Sequence, residues 1–177
     1  MVSNPSLKAR AERVRLILLD VDGVLTDGTV IMHADGSESK EFHIRDGAAI
    51  VWAIQAGIPV GLLSARTSMA TSQRAAQLGI RIVSQGVGSK ATEFARIIAE
   101  QGLEEDEVAY MGDDLLDLGV LVRAGLAAAP ADAAAEVRAA AHWTSTIGGG
   151  RGAVRELIEV ILREQDLWDD IVKGFSA

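Results

Sequence analysis

The sequence predicts an α/β fold: a doubly wound, mostly parallel sheet with helices on both faces, interrupted by one β-hairpin. Three observations carry this. Short aliphatic runs alternate with segments of helical spacing along nearly the whole chain, the pattern of successive βαβ units. Such units place parallel strands side by side through right-handed crossovers. Three of the aliphatic runs end in polar residues, Asp20, Ser64 and Asp113, at the carboxyl edge where ligands bind in such folds.

Each element has its own signal. "RLILLD" (15–20) reads as a buried strand, because an aliphatic run is what a strand covered on both faces needs. "GTVIMHADGSESKEFHI" (28–44) holds two extended runs around Asp35-Gly36, a strong hairpin turn. Helical spacing follows from Asp46, read as N-cap, to a stop at Gly57. "IPVGLLS" (58–64) is a strand, 66–79 a helix ending at Gly79, and "IRIVSQ" another strand. Ser89 opens a helix over 89–102, and "EVAYMGDD" (107–114) is a strand running into carboxylates. "LLDLGVLVRAG" and "ADAAAEVRAAA" read as helices, "LAAAP" and "HWTST" as short strands, and 153–165 as a last amphipathic helix. The count is about six parallel strands by this pattern. The expected organisation is one domain over 1–177, with a hairpin flap at 28–44 and a tail, unassigned in structure, at 166–177.

Composition narrows the function. The chain has 177 residues, 49% hydrophobic and 24% charged, with a net charge of -8, so bulk electrostatics predict no nucleic-acid partner. There are no cysteines, which removes disulfides, zinc–thiolate sites and cysteine nucleophiles together. A polar, basic N-terminus without an apolar core, and no run near the roughly 20 apolar residues of a membrane span, predict no membrane partner and a cytoplasmic location.

The chemistry concentrates in acidic strand ends. Asp20 and Asp22 lie two apart after the first strand, where extended backbone points both to one side. Two close carboxylates require a shared proton or a cation. "GDDLLD" (112–117) adds Asp113, Asp114 and Asp117 at another strand end. An all-oxygen set suits a hard cation, Mg²⁺ before zinc, and Mg²⁺ suits phosphoryl chemistry. An Asp can also be the nucleophile. Lys90, opening a helix, can reach the same crevice to hold phosphate oxygens.

"DVDGVLTD", Ser64 after "GLL", Lys90 and "GDDLLD", in this order, resemble the four motifs of the haloacid dehalogenase-like phosphatases over residues 15 to 155. The resemblance implies Asp20 as nucleophile, Asp22 as general acid and then base, and Ser64 and Lys90 as holders of the phosphoryl group. It implies Mg²⁺ on Asp20, Asp113 and the Asp22 carbonyl, with Asp114 supporting the site through water or Lys90. "DGVLTDG", "FHIRDG", "LLSAR" and "GGRGAVRE" are similar to the subfamily that hydrolyses 3-deoxy-D-manno-octulosonate 8-phosphate, a small-molecule sugar-acid phosphate of lipopolysaccharide precursor synthesis. That resemblance implies a capless core and a homotetramer with the hairpins at its centre. It further implies Arg66, Arg45 and Arg151 as substrate-binding residues, with the Gly148–Gly152 segment near a neighbouring chain's site. "GVGSK" departs slightly from the subfamily before its lysine. A nine-carbon sugar-acid phosphate such as an N-acylneuraminate 9-phosphate, or a non-catalytic scaffold of the same fold, are the alternatives.

Plainer readings stand beside these. Asp114 reads equally as a helix cap and Asp117 as a residue on the helix face. Asp27 shapes the turn into the hairpin. Arg66 and Arg151 read equally as surface residues, and Arg45 as a local ion pair with Asp46. "GGGRG" reads equally as a flexible connection. His33, His43 and His142 read as ordinary strand residues, and Trp52 and Trp143 as core.

Overall fold

The computed structural model describes residues 5–176; the first four residues and Ala177 of the expected domain lie outside it. A short helix α1 (Leu7–Ala11) precedes strand β1 (Leu16–Leu19). The hairpin strands β2 (Ile31–Met32) and β3 (Glu38–Ser39) follow, then α2 (Ile44–Gln55), β4 (Val60–Leu63), α3 (Met69–Leu78) and β5 (Ile82–Ser84). The second half runs α4 (Lys90–Gln101), β6 (Val108–Met111), a 3₁₀ turn (Leu115–Asp117) into α5 (Leu118–Leu121), β7 (Leu126–Ala129), α6 (Ala135–Ala140), β8 (Trp143–Thr144), α7 (Ala153–Glu164) and α8 (Trp168–Gly174).

Six strands form one sheet in the order β5-β4-β1-β6-β7-β8, and every pairing in it is parallel. The chain builds outward from β1 to β4 and β5, then returns to build β6, β7 and β8 on the other side. The reversal falls at β1, so a crevice opens beyond the ends of β1, β4 and β6.

β1, β4, β6 and β7 are buried at every position. Successive side chains serve opposite faces. Ile17, Leu19, Leu62 and Met111 meet α1, α2, α3 and α7 in one core layer. Leu16, Leu18, Leu63 and Tyr110 meet α4, α5 and α6 in the other. Gly61 is required by this packing: a Cβ there would lie 2.7 Å from Leu18 Cδ2 and 2.9 Å from Ile82 Cβ.

Several boundaries differ from the sequence expectation. Ser6 caps α1 by accepting the Ala9 N–H at 3.2 Å, an element too short to show periodicity. The hairpin strands shrink to two residues each, around a turn with Gly36 at φ +85°, where Asp35 accepts the Ser37 N–H. α2 starts at Ile44 with His43, not Asp46, in the cap position; His43 is therefore not a strand residue. The long helix expected after β6 splits into the 3₁₀ turn and the single turn of α5. α4 starts where its serine cap predicts, with Ser89 accepting from Thr92, whereas α3 starts at Met69 rather than at 66, with Ser68 as its cap accepting from Thr71.

Within the tail, Trp168–Gly174 form the helix α8. Its Trp168 ring packs edge-on against Trp52 at 5.9 Å, and the Arg155 guanidinium lies 4.2 Å from the Trp52 ring centre, where the ring face attracts a cation. Trp52 and Trp143 are half-buried against the α1–α2–α7 layer.

Candidate active site

The crevice is a cleft of about 260 Å³ that gathers Asp20, Asp22, Ser64, Arg66, Lys90, Asp113, Asp114 and Asp117. β1 delivers Asp20 and Asp22, β4 delivers Ser64, β6 delivers Asp113, and the first turn of α4 delivers Lys90. Separate strand ends converge because parallel strands all finish at one sheet edge.

A buried ionic group sits at its floor. Lys90 Nζ lies 2.8 Å from Asp20 Oδ2 and 2.6 Å from Asp117 Oδ1. The Tyr110 hydroxyl also donates to Asp117 Oδ1. Asp117 Oδ2 accepts the backbone N–H groups of Asp113 at 3.0 Å and Asp114 at 3.2 Å. Asp117 is therefore fully engaged, and it orients both Lys90 and the loop that bears Asp113. Its pattern in sequence, third after the Asp114 cap, is a capping-box spacing. That spacing was the available signal; the long-range contact to Lys90 had none. The Lys90 contact expected of Asp114 belongs to Asp117, and Asp114 itself caps the 3₁₀ turn through the Leu115 N–H.

Burial and neighbouring charge lift Asp20 and Asp113. Burial, then the charge of Asp117, raises Asp20 to about 6 against the pull of Lys90. Burial, then Asp20 and Asp117, raises Asp113 to about 7. Burial works against the Lys90 ammonium, but Asp20 and Asp117 outweigh it and hold it above its ordinary range.

Asp22 is not paired with Asp20 as simple strand alternation implied. β1 ends at Leu19, and the turn after it sends Asp22 toward the hairpin. There Asp22 Oδ1 pairs with Lys40, whose side chain is wholly buried. Arg66 Nε lies 3.5 Å from Asp22 Oδ2, and Arg66 Nη2 lies 2.9 Å from Glu38 Oε2. The two carboxylates are thus divided between two lysines. Sequence reasoning missed Lys40 and Glu38, because a hairpin's fold-back onto its own sheet edge leaves no local pattern. Ser64 is buried beside Asp20 in the cleft, and its Oγ accepts the Arg66 N–H at 3.2 Å.

Two expected substrate residues lie elsewhere. Arg45 is exposed on α2, outside the cleft lining, and forms no ion pair with Asp46 among the described residues. Its neighbour Asp46 is buried and turned to Arg155 of α7. Arg151 is 69% exposed, 3.6 Å from Asp27 Oδ2. Asp27 accepts the Thr29 N–H at 3.0 Å and shapes the turn after Gly28. The glycine run is no flexible connection: a Cβ on Gly149 would lie 1.8 Å from the Gly23 carbonyl oxygen, and one on Gly150 would lie 2.4 Å from the Thr26 carbonyl carbon.

The donor set fits a hard cation. Asp20, Asp113 and Asp117 each offer an oxygen within 4.8 Å of the others. Asp117 is saturated by four donors, so Asp20 and Asp113 are the carboxylates left to bind one. Three carboxylates face one ammonium here, and a dication offsets the surplus. Gly23 makes room for this: a Cβ there would lie 2.0 Å from Asp113 Oδ2, at φ +87°.

A parallel sheet with this switch point and acidic strand ends is the scaffold of the haloacid dehalogenase-like hydrolases, and residues 69–148 match that family's sequence profile. The 3-deoxy-D-manno-octulosonate 8-phosphate phosphatase of Salmonella typhimurium is 39% identical over 173 residues, 98% of this chain and 92% of that protein. This chain belongs to the family of 3-deoxy-D-manno-octulosonate 8-phosphate phosphatases. The enzyme of that name from Moraxella catarrhalis, solved with magnesium, phosphate and KDO, is 34% identical with a TM-score of 0.93, covering 95% of this chain and 97% of the other. The cobalt-bound phosphatase from Haemophilus influenzae is 37% identical with a TM-score of 0.86, covering 89% and 92%.

Proposed function

We propose that this protein hydrolyses 3-deoxy-D-manno-octulosonate 8-phosphate to the free sugar acid and phosphate, with Mg²⁺ as its cation. The observation that carries the reading is the Asp20–Lys90–Asp113 arrangement: a buried, cation-paired carboxylate at a strand end, open to a cleft of substrate size. A relative of 34% identity holds magnesium, phosphate and KDO together.

Asp20 attacks phosphorus, forming an O–P bond as the bond from phosphorus to the sugar oxygen breaks. Asp22 gives its proton to the departing alkoxide. Asp22 then takes a proton from water, whose oxygen displaces Asp20 and releases phosphate. Ser64 and Lys90 hold the phosphoryl oxygens throughout. The cation, held by Asp20, Asp113 and the Asp22 carbonyl, supplies positive charge to those oxygens when bound. Asp117 and Tyr110 keep Lys90 aimed. Arg66, at the cleft mouth, takes the sugar-acid carboxylate by exchanging Glu38 for substrate.

The reading extends to a homotetramer in the cytoplasm, acting in lipopolysaccharide precursor synthesis. Ile31 and Met32 on the hairpin are exposed, and a two-stranded ribbon is marginal without a cover. Arg45 and Arg151, outside the lining of their own cleft, act in this reading across a subunit boundary. Phosphate release from the eight-carbon substrate, beside nine-carbon sugar-acid phosphates and with Mg²⁺ against EDTA, tests it. Preference for a nine-carbon substrate overturns the substrate assignment, and no Mg²⁺-dependent release from any of them overturns the enzyme.

A further inference from the structure

Asp46 is 1% exposed in the first turn of α2, outside the cleft. Its Oδ1 accepts the N–H of Arg155, third residue of α7, at 2.7 Å. The Gly152 N–H faces the same carboxylate, whose Oδ2 has no hydrogen-bond partner among the described residues. Gly152 occupies the cap position of α7 and has no side chain to satisfy the orphan N–H groups there. Asp46 thus caps a helix distant in sequence, and its negative charge suits that helix's N-terminus.

The capped end continues backward into the glycine run. Gly150 N–H donates to the Val24 carbonyl at 2.9 Å. Gly149 and Gly150 press on Gly23 and Thr26 with no space for a Cβ. Gly23 in turn abuts the Asp113 carboxylate and follows Asp22 directly. The run also takes a bond from the other side, where Asp132 Oδ1 accepts the Gly149 N–H at 2.9 Å. A contiguous series of packed backbones therefore links Asp46 to the turn that presents Asp22.

We propose that Asp46 is a positioning residue for phosphoryl transfer: by capping α7 it holds Gly149–Gly150 against Gly23–Thr26 and so fixes Asp22 and Asp113 relative to Asp20. The proposal rests on the phosphatase reading for its kinetic arm only.

Asp46→Asn keeps an oxygen acceptor for the Arg155 N–H; Asp46→Ala keeps none. Expected for Asp46→Ala is a kcat about tenfold lower with KM within about twofold, since misplacement by an ångström costs up to about a hundredfold. Asp46→Asn is expected to restore kcat to within about threefold of the parent. Gly149→Ala perturbs the far end without touching Asp46, and is expected to lower kcat with the same unchanged KM. Hydrogen exchange reads the coupling without any substrate: Asp46→Ala should speed exchange at the Leu25 and Thr26 amides, which donate to the Val21 carbonyl. Should Asp46→Ala fail to fold, Gly149→Ala carries both readouts. Unchanged kcat in folded Asp46→Ala or in Gly149→Ala, an Asn variant as impaired as Ala, or faster exchange confined to α7 would each overturn the proposal. A parent enzyme that releases no phosphate overturns the phosphatase reading instead, and leaves the exchange result to decide this one.

Discussion

Asp20 and Asp113 are carboxylates held above their ordinary range at about 6 and about 7, so the metal-free fold binds more protons than the unfolded chain between the ordinary value of 3.8 and about 7. Stability then falls as pH rises through that window. The metal-free protein is expected to melt several degrees higher at about pH 5 than at about pH 8 from these two groups, and Mg²⁺ is expected to raise the melting temperature more at the higher pH. A metal-free melting temperature that rises steadily from acid to neutral pH would sink this. Asp20→Asn removes the nucleophile while keeping a polar group for Lys90; it is expected to abolish phosphate release and retain the circular dichroism of the fold. Residual turnover in that variant is incompatible with the assigned role. Asp117→Asn weakens a buried ionic contact to Lys90; about 2–4 kcal/mol of stability is expected to go, since the Lys90 ammonium loses a charged partner inside the protein. Denaturant titration measures it. At this scale the sequence showed which carboxylates end strands. It did not show that Asp117 grips Lys90 or that Lys40 takes Asp22, because those pairs lie 27 and 18 residues apart.

Elements followed the sequence where burial on both faces or a serine cap left a strong local signal. β1, β4, β6 and β7 are continuous apolar runs, and α4 starts at a serine cap and ends at Gly102 in the left-handed region. Where competing interactions act, boundaries moved. Asp46 has the right side chain to cap α2, yet it is drawn into the interior to cap α7, and the cap position of α2 falls three residues earlier, at His43. Gly61→Val in β4 tests how tightly the layers meet: a Cβ already overlaps Leu18 and Ile82, and overpacking of this kind costs roughly 1–3 kcal/mol. A variant as stable as the parent in urea would show that the sheet yields there.

The whole molecule divides its chemistry by layers. One core binds α2 and α7 to the sheet, the other binds α4 and α5, and the crevice lies at the edge where both finish. The hairpin projects from this edge with Ile31 and Met32 uncovered. Sedimentation is expected to give a tetramer, and charged substitutions at both positions are expected to dissociate it; an active parent monomer counts against the assembly.

The sequence by itself determined the alternation of strands and helices, the strand ends that carry Asp20, Ser64 and Asp113, and the membership that the ordered motifs imply. These are local properties, written in apolar periodicity, caps and short spacings. Only the tertiary structure decided which charges pair, why the glycine run admits no side chain, and that Arg45 and Arg151 stand away from the cleft. Those facts depend on distances between segments remote in the chain, and such distances are fixed by packing, which no local pattern records.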